Sequence, residues 1–598
     1  MSFILGGLSS DAKPRQYGDA VLVGQLWGYL RAHHWKLAVV VMALFVGSLS
    51  TILVPVALGQ TIDRFAKSND LALWLVFAAL IGFALLTWGT QYVQQRLTTD
   101  AVADIALAAQ RETLRSALRQ DHAFYDRHSS GTVVSRITTD SSALASVVQL
   151  SVEVLNQIIL VVLLGAALIL INPTMALVCM AVMPIAVVVA LVFRRLARQA
   201  ARQAQQSMSE INAGIGETMR GITVAKNYRQ EAVLLEEFRK LNVRVYNVSL
   251  ANNRIFGAIY PLLDIIGGIS TALVLYLGGR MVLEGGLSAG SWYLSLQTAG
   301  LFLFPLTGIA SFWSQFQQGL AATERVRALV ESTPNVQQQA SNTVAIADAR
   351  VRFEAINFSY DGEQPVLQDF NLDVPSGQRI ALIGRTGSGK TSLLRILMRF
   401  YEYQSGRVTL GGVDLRQIPF EQLGNLVGLV SQTPMLLDGT IAANIRFARP
   451  EASDAEVERA ARSVGQAWLD DLPKGLETAV GERGALLSQG QRQLVTLARV
   501  MLQRPKILLL DEATANVDSF SESQLEEGLN AVMAGRTTIV VAHRLSTVVR
   551  ADRVVILENG HLVADGTHRS LLQDNPYYTS LSASYFREAN TDPNATTV

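Results

Sequence analysis

Gly384-Arg385-Thr386-Gly387-Ser388-Gly389-Lys390-Thr391 is the stretch on which the reading of this chain turns. An apolar run, Ile380-Ala381-Leu382-Ile383, precedes it, and a helical pattern from Ser392 to Phe400 follows. Strand, glycine loop and helix are the context that a phosphate-binding loop requires. Glycines let the backbone fold round a triphosphate with its N–H groups turned inward. The helix N-terminus adds its dipole, Lys390 a point charge and the Thr391 hydroxyl a magnesium ligand. A plain glycine-rich turn is the alternative, and it would need no partners elsewhere in the chain.

Several stretches supply such partners. Lys506-Ile507-Leu508-Leu509-Leu510-Asp511-Glu512 reads as an apolar strand ending in two carboxylates. A buried strand delivers Asp511 to the magnesium, while Glu512, one residue on, can polarise an attacking water. Ile539-Val540-Val541-Ala542-His543 is another apolar strand. His543 is either an ordinary strand-end residue or one able to reach a γ-phosphate. Upstream of both strands, Leu487-Ser488-Gln489-Gly490-Gln491 leads into a helix read as Arg492 to Leu502, and small residues at a helix N-terminus form an anion site. Tyr360, before the phosphate loop, is either core or a ring that stacks on adenine. Strand-like runs alternate with helices throughout this half, which indicates an α/β domain. A polar linker, Ser332-Thr333-Pro334-Asn335 and then Gln337-Gln338-Gln339, leads into it.

Composition describes the other half. Of the 598 residues, 49% are hydrophobic and 17% charged, with a mean hydropathy of +0.25. That is too apolar for an ordinary soluble enzyme and points to a membrane protein with a soluble part. A net charge of +1 proposes no nucleic acid as partner. The single cysteine, Cys179, sits in an apolar run, where packing is its expected role. It excludes an internal disulfide and a cysteine-based zinc site. The first twenty residues lack the pattern of a cleavable signal, so the N-terminus is expected to be retained.

Val21 to Lys36 suits a helix lying in the membrane interface, with Trp27, Tyr29 and Trp35 at headgroup level. About six stretches are then long enough to span: Leu37–Leu58, Leu71–Val93, Val152–Ile171, Thr174–Phe193, Ile255–Gly279 and Trp292–Phe316. Asn172-Pro173 joins the third and fourth as a tight turn. Arginines and lysines crowd the intervals from Arg96 to Arg136 and from Arg194 to Arg254, which makes that side cytoplasmic, the N-terminus included. Between Gln94 and Gln120, and again between Arg194 and Gln230, good helix formers dominate and proline is absent, so the spans should run on out of the membrane as helices. Each interval has a break, at Phe124–Gly131 and at Gly221–Tyr228. The breaks are either solvated surface or elements that dock on the nucleotide domain. Asp264 is an ionisable residue within a span; it faces a cavity or partner, or it sits near the interface.

Together these elements resemble an ATP-binding cassette exporter half-transporter over essentially the whole chain. The resemblance implies a six-helix, all-α transmembrane domain in residues 1–335 and an α/β P-loop nucleotide-binding domain in residues 336–585. A polar tail, residues 586–598, follows. ATP and Mg2+ are the implied cofactors. Tyr360 matches the adenine-stacking aromatic, and Gly384 to Thr391 the phosphate loop. Gln432 matches the glutamine that contacts magnesium and water. Asp511 and Glu512 match the magnesium carboxylate and the catalytic glutamate, and His543 the switch histidine. Asp518 matches the loop that crosses between two cassettes. In this family two cassettes pair head to tail, each ATP lying between one phosphate loop and the other cassette's signature, here Ser488, Gln489, Gly490 and Gln491. The two cytoplasmic breaks match the family's coupling helices.

One departure stands out. The family signature usually has glycine where this chain has Gln489, and a side chain there adds bulk where backbone approaches phosphate. The altered signature beside a retained Glu512 resembles one subunit of heterodimeric bacterial exporters. It implies a partner half-transporter with a replaced catalytic glutamate. The expectation is a multi-pass cell-membrane protein, cassette inside, that exports a hydrophobic or amphipathic compound. An ATP-gated channel and an importer on the same fold stay open. Transport that tracks ATP hydrolysis, and flux direction in sided vesicles, separate them.

Overall fold

Runs rich in helix formers make very long helices in the N-terminal half, and they continue through Pro55, Pro184 and Pro261. The computed structural model describes residues 17–67, 73–301, 303–340, 342–511, 519–542 and 544–587. Its contacts separate into two units. The first holds the described residues up to Leu118 and Ser130–Ser332; the second holds Arg119–Ser129 and the described residues from Thr333 onward.

In the first unit, α1 (Asp19–Arg31) precedes α2 (His34–Lys67) and α3 (Leu73–Leu118). The short α4 (His122–Arg127) belongs to the second unit. Then come α5 (Ser130–Ser135), a π-helical turn over Arg136–Asp140, α6 (Ser141–Ile171), α7 (Pro173–Arg220) and α8 (Ile222–Tyr228). The unit ends with α9 (Glu231–Leu283), α10 (Ala289–Leu301) and α11 (Leu303–Val330). At about 1.5 Å per residue, α3, α7 and α9 are roughly 70–80 Å long, well over the ~30 Å of a hydrocarbon core. They do run on past the apolar stretches. Among the described residues, His34–Arg64, Trp74–Leu118, Ser130–Ile171 and Asp264–Leu283 are long and apolar enough to cross a membrane. The expected spans Thr174–Phe193 and Trp292–Phe316 fall on α7 and on α10 with α11; Leu71 lies outside the described residues.

Local chemistry explains the joints. Asn172 caps α7, its side-chain oxygen accepting from the N–H groups of Thr174 and Met175 at 3.0 and 3.1 Å, and Pro173 fills the first helical position. Both breaks in the basic intervals become short helices, α4 and α8. Helices approach closely at small residues: a Cβ on Gly278 of α9 would lie 2.4 Å from Trp292 of α10. Buried Asp140 takes a two-pronged pair from Arg325 of α11, at 2.7 and 2.9 Å. Asp63 near the end of α2 accepts from the Ser288 hydroxyl at 2.6 Å and the Gly290 N–H at 2.7 Å, where α10 begins. Asp264 is exposed on α9.

The second unit is the α/β domain. β1 (Val351–Ser359), β2 (Pro365–Val374), β3 (Arg379–Ile383), β4 (Ser405–Leu410) and β5 (Val413–Asp414) come first. β6 (Val427–Val430), β7 (Ile507–Asp511), β8 (Thr537–Val541), β9 (Arg553–Glu558) and β10 (His561–Gly566) follow. An antiparallel sheet has the order β2-β1-β4-β5, and a second sheet the order β10-β9-β3-β8-β7-β6. From β9 to β6 the second sheet is parallel, with β10 antiparallel at one edge. Its inner strands are buried on both faces, which is why they read as unbroken apolar runs. Helices α12 (Lys390–Leu397) and α13 (Phe420–Leu426) belong to the core region. α14 (Ile441–Arg446), α15 (Asp454–Arg462), α16 (Ala467–Asp470) and α17 (Gln489–Gln503) pack round Trp468, Leu494 and Leu497. α18 (Ser519–Met533), α19 (Leu545–Val549), α20 (His568–Asp574) and α21 (Pro576–Arg587) complete the chain's described elements.

Candidate nucleotide site

Parallel pairing brings several candidate residues to one edge. In register, Leu382 of β3 pairs with Val541 of β8, Val541 with Asp511 of β7, and Leu510 with Val430 of β6. All four strands therefore end together. The phosphate loop leaves β3 there, Asp511 closes β7, and Gln432 follows β6 by two residues. Ligand sites of open parallel sheets lie at this carboxyl edge.

The loop's geometry follows from its glycines. Gly384, Gly387 and Gly389 have φ of +149°, +85° and +102°, values that L side chains rarely adopt. At Gly384 a Cβ would also collide with the Leu557 carbonyl at 2.1 Å. Round Gly387 the space is open, as a cradle for a ligand requires. Lys390 is buried, its ammonium donating to the carbonyls of Gly384 at 2.6 Å and Arg385 at 3.0 Å. Ser388 Oγ is buried and has no hydrogen-bond partner, an orphan that a bound phosphate would satisfy. The Thr391 hydroxyl donates to Asp511 Oδ1 at 3.4 Å. This hydroxyl and carboxylate are hard oxygen donors of the kind Mg2+ takes alongside substrate phosphates. Loop and donors fit a magnesium–triphosphate.

Tyr360 follows β1 and is 42% exposed, so it is not core. Its hydroxyl bonds Ser392 Oγ of α12 at 2.9 Å and accepts from Arg395 at 3.3 Å. Its ring meets Tyr401 edge-on, centroids 4.9 Å apart. Ser392, Arg395 and Tyr401 were not singled out by sequence. A weak signal existed, since Ser392 and Arg395 are one turn apart on a helix and share a face.

The signature helix starts earlier than the sequence reading placed it. Ser488 caps α17, accepting from the Gln491 N–H at 3.1 Å, while Gln491 Oε1 accepts from the Ser488 N–H at 3.0 Å. This capping box is legible in Ser488-Gln489-Gly490-Gln491, and it makes Gln489 the first helical residue. Gly490 is buried and Gln489 half-buried. Gln432 is exposed. Glu512, Asp518 and His543 lie outside the described residues.

The fold and its site define a class: apolar helices of membrane length joined in one chain to a P-loop ATPase domain. Residues 37–306 match the ABC transporter transmembrane region and residues 367–515 match the family described as ABC transporter. An ATP-dependent lipid A-core flippase of Chromobacterium violaceum is 33% identical, covering 96% of this chain and 98% of its own length. A fatty acid ABC transporter ATP-binding/permease protein of Mycobacterium bovis is 32% identical over 88% of this chain and 82% of its own length. A solved structure of a bacterial Atm1-family ABC exporter with ATP bound has the same fold, with a TM-score of 0.77, 94% of this chain and 99% of that chain covered, at 22% identity. The chain belongs to the ABC transporter family, as an exporter with a membrane domain and an ATP-binding domain, and its ATP hydrolysis is coupled to transport.

Proposed function

We propose that this chain is one half of an exporter that moves a hydrophobic or amphipathic, lipid-like compound out of the cytoplasm or inner leaflet. The observation that carries the ATP-driven part is the buried Lys390 beside the facing pair Thr391 and Asp511 at the sheet's carboxyl edge. The lipid-like class is supported by the names of the flippase and fatty acid relatives. In this reading Tyr360 stacks on adenine, and loop N–H groups with Lys390 neutralise the phosphates. Thr391, Asp511 and Gln432 would hold Mg2+, which supplies charge neutralisation at the transferring phosphoryl group. Glu512 polarises the attacking water and His543 contacts the γ-phosphate. Asp518 serves the contact between cassettes, and Ser488 to Gln491 face the ATP of a second cassette. The basic side of the helices, with N-terminus and cassette, is cytoplasmic in the cell membrane.

The second cassette belongs to a different chain. Gln489 at the first position of α17 carries a side chain where the family has glycine. A homodimer would place it in both ATP sites, whereas a partner with an intact signature leaves one site whole for Glu512.

Lys390→Ala should weaken ATP binding at least tenfold, about 1.4 kcal/mol. Glu512→Gln should keep binding and lose at least about 100-fold in turnover, the range of a lost general base. Both are read by nucleotide binding and phosphate release on purified protein in vesicles, with flux of a fluorescent lipid followed alongside. Wild-type turnover in Glu512→Gln sinks the assignment of the base. Current down a gradient without ATP consumption sinks the pump.

A further inference from the structure

Side chains alone connect the base-facing tyrosine to the segment Arg119–Ser129. Tyr360 is partly exposed, and its contacts are Phe358 edge-on at 4.8 Å, Tyr401 edge-on at 4.9 Å, and Ser392 and Arg395 on its hydroxyl. The Arg395 guanidinium lies 6.0 Å from the Tyr360 ring and 5.9 Å from the Tyr401 ring, bridging the two. Tyr401 is only 6% exposed, and its hydroxyl donates to the Asp126 carboxylate of α4. Burial, and then Asp126, push the Tyr401 hydroxyl above its ordinary pKa, so it stays a donor across the physiological range. The segment has further anchors. His122 packs on Phe400 at 4.2 Å, and Asp121 caps α4 while accepting from the Asn335 N–H at 2.6 Å. The His122 ring also nears that of Tyr401, centroids 6.4 Å apart, so Tyr401 is where the segment leads back to Tyr360, by a hydrogen bond from Asp126 and a looser ring contact from His122.

We propose that Tyr401 is a positioning residue through which occupation of the base site at Tyr360 orders the Arg119–Ser129 segment, so that the nucleobase, and not the triphosphate alone, conditions it. This rests on the reading of Tyr360 as the stacking ring. A base stacked on Tyr360 restricts the tilt of that ring. The edge contact then restricts Tyr401, and a restricted Tyr401 aims its hydroxyl steadily at Asp126. Ordering passed along a packed chain in this way couples two places without a large displacement, and amide exchange reads it directly.

The test is hydrogen exchange on the full chain, with its copurifying partner, in nanodiscs of phosphatidylethanolamine and phosphatidylglycerol. Magnesium–ATP is compared with magnesium–tripolyphosphate, which has no base. ATP should slow exchange at residues 355–362, 384–391 and 119–129, the last by about fivefold or more. Tripolyphosphate should slow residues 384–391 alone. Tyr401→Phe keeps the ring, and it and Asp126→Ala should lose the ATP effect at 119–129 while keeping it at 355–362 and 384–391. Asp126→Asn keeps an acceptor and should retain the effect, which separates the hydrogen bond from general damage. In Tyr401→Phe the KM for ATP should stay within about twofold of wild type, whereas Tyr360→Leu should raise it. Undiminished protection of 119–129 in Tyr401→Phe, or equal protection by tripolyphosphate, overturns the proposal. If ATP protects 355–362 no better than tripolyphosphate does, the stacking assignment of Tyr360 falls as well.

Discussion

Gly384 and Gly389 have little freedom to change. At Gly384 the backbone sits at φ +149° and an added Cβ would lie 2.1 Å from the Leu557 carbonyl on the neighbouring strand β9. At Gly389 φ is +102° and the nearest obstacle is the Leu367 side chain, at 2.8 Å, with the Val366 carbonyl oxygen farther off at 3.2 Å. Backbone obstacles cannot rotate away, whereas a leucine side chain has some give. Gly384→Ala should therefore cost more nucleotide affinity than Gly389→Ala. Tenfold or more, about 1.4 kcal/mol, is expected for Gly384→Ala, and less for Gly389→Ala. Titration with a fluorescent ATP analogue gives the order, and a reversed order would show that the loop relieves strain in some other way. Ser388 belongs to the same scale: its buried hydroxyl has no hydrogen-bond partner, and a phosphate in the loop would supply one.

Elements hold together through caps that the chain supplies from far away. α10 begins at Ala289 beside Ser288, and Asp63 of α2 accepts from both Ser288 and Gly290. A carboxylate at a helix N-terminus satisfies orphan N–H groups and meets the positive end of the helix dipole. Asp63→Ala removes these bonds, and a loss of about 1–2 kcal/mol is expected. Thermal unfolding in nanodiscs should show a midpoint lower by ~2–4 °C, with Asp63→Asn, which keeps an acceptor, losing less. An unchanged midpoint in Asp63→Ala would make the contact incidental. Gly59 and Gly290 bring these two backbones close, since a Cβ on Gly290 would lie 1.9 Å from the Gly59 carbonyl oxygen. The cap and the close approach share one joint, which no local pattern in either helix announces.

For the whole molecule the decisive question is the partner. The intact Lys390, Thr391 and Asp511 sit in the same chain as Gln489, so the two ATP sites of a pair would be unequal only if the partner differs. Expressed alone, the chain should show little ATPase activity; coexpression with a partner half-transporter carrying a glycine signature should restore it. Within the pair, Gln489→Gly should change turnover modestly. A purified homodimer with robust turnover and transport would refute the heterodimer. Mass spectrometry of the copurified complex identifies the second chain.

Contiguous residues could be read directly. The phosphate loop, the apolar strands before it and before Asp511, the long apolar helices and the Asn172-Pro173 turn each depend on neighbours in sequence, through period, propensity and glycine geometry. The capping box at Ser488 was equally local, although the sequence reading began that helix at Arg492. Other features needed the folded chain. Thr391 meets Asp511 because β3 and β7 both flank β8 in a parallel sheet. Tyr401 finds Asp126 across 275 residues, and Ser288 finds Asp63 across 225. Contacts like these are chosen by packing and paid for in loop entropy, which grows only slowly with separation and leaves no period in the sequence.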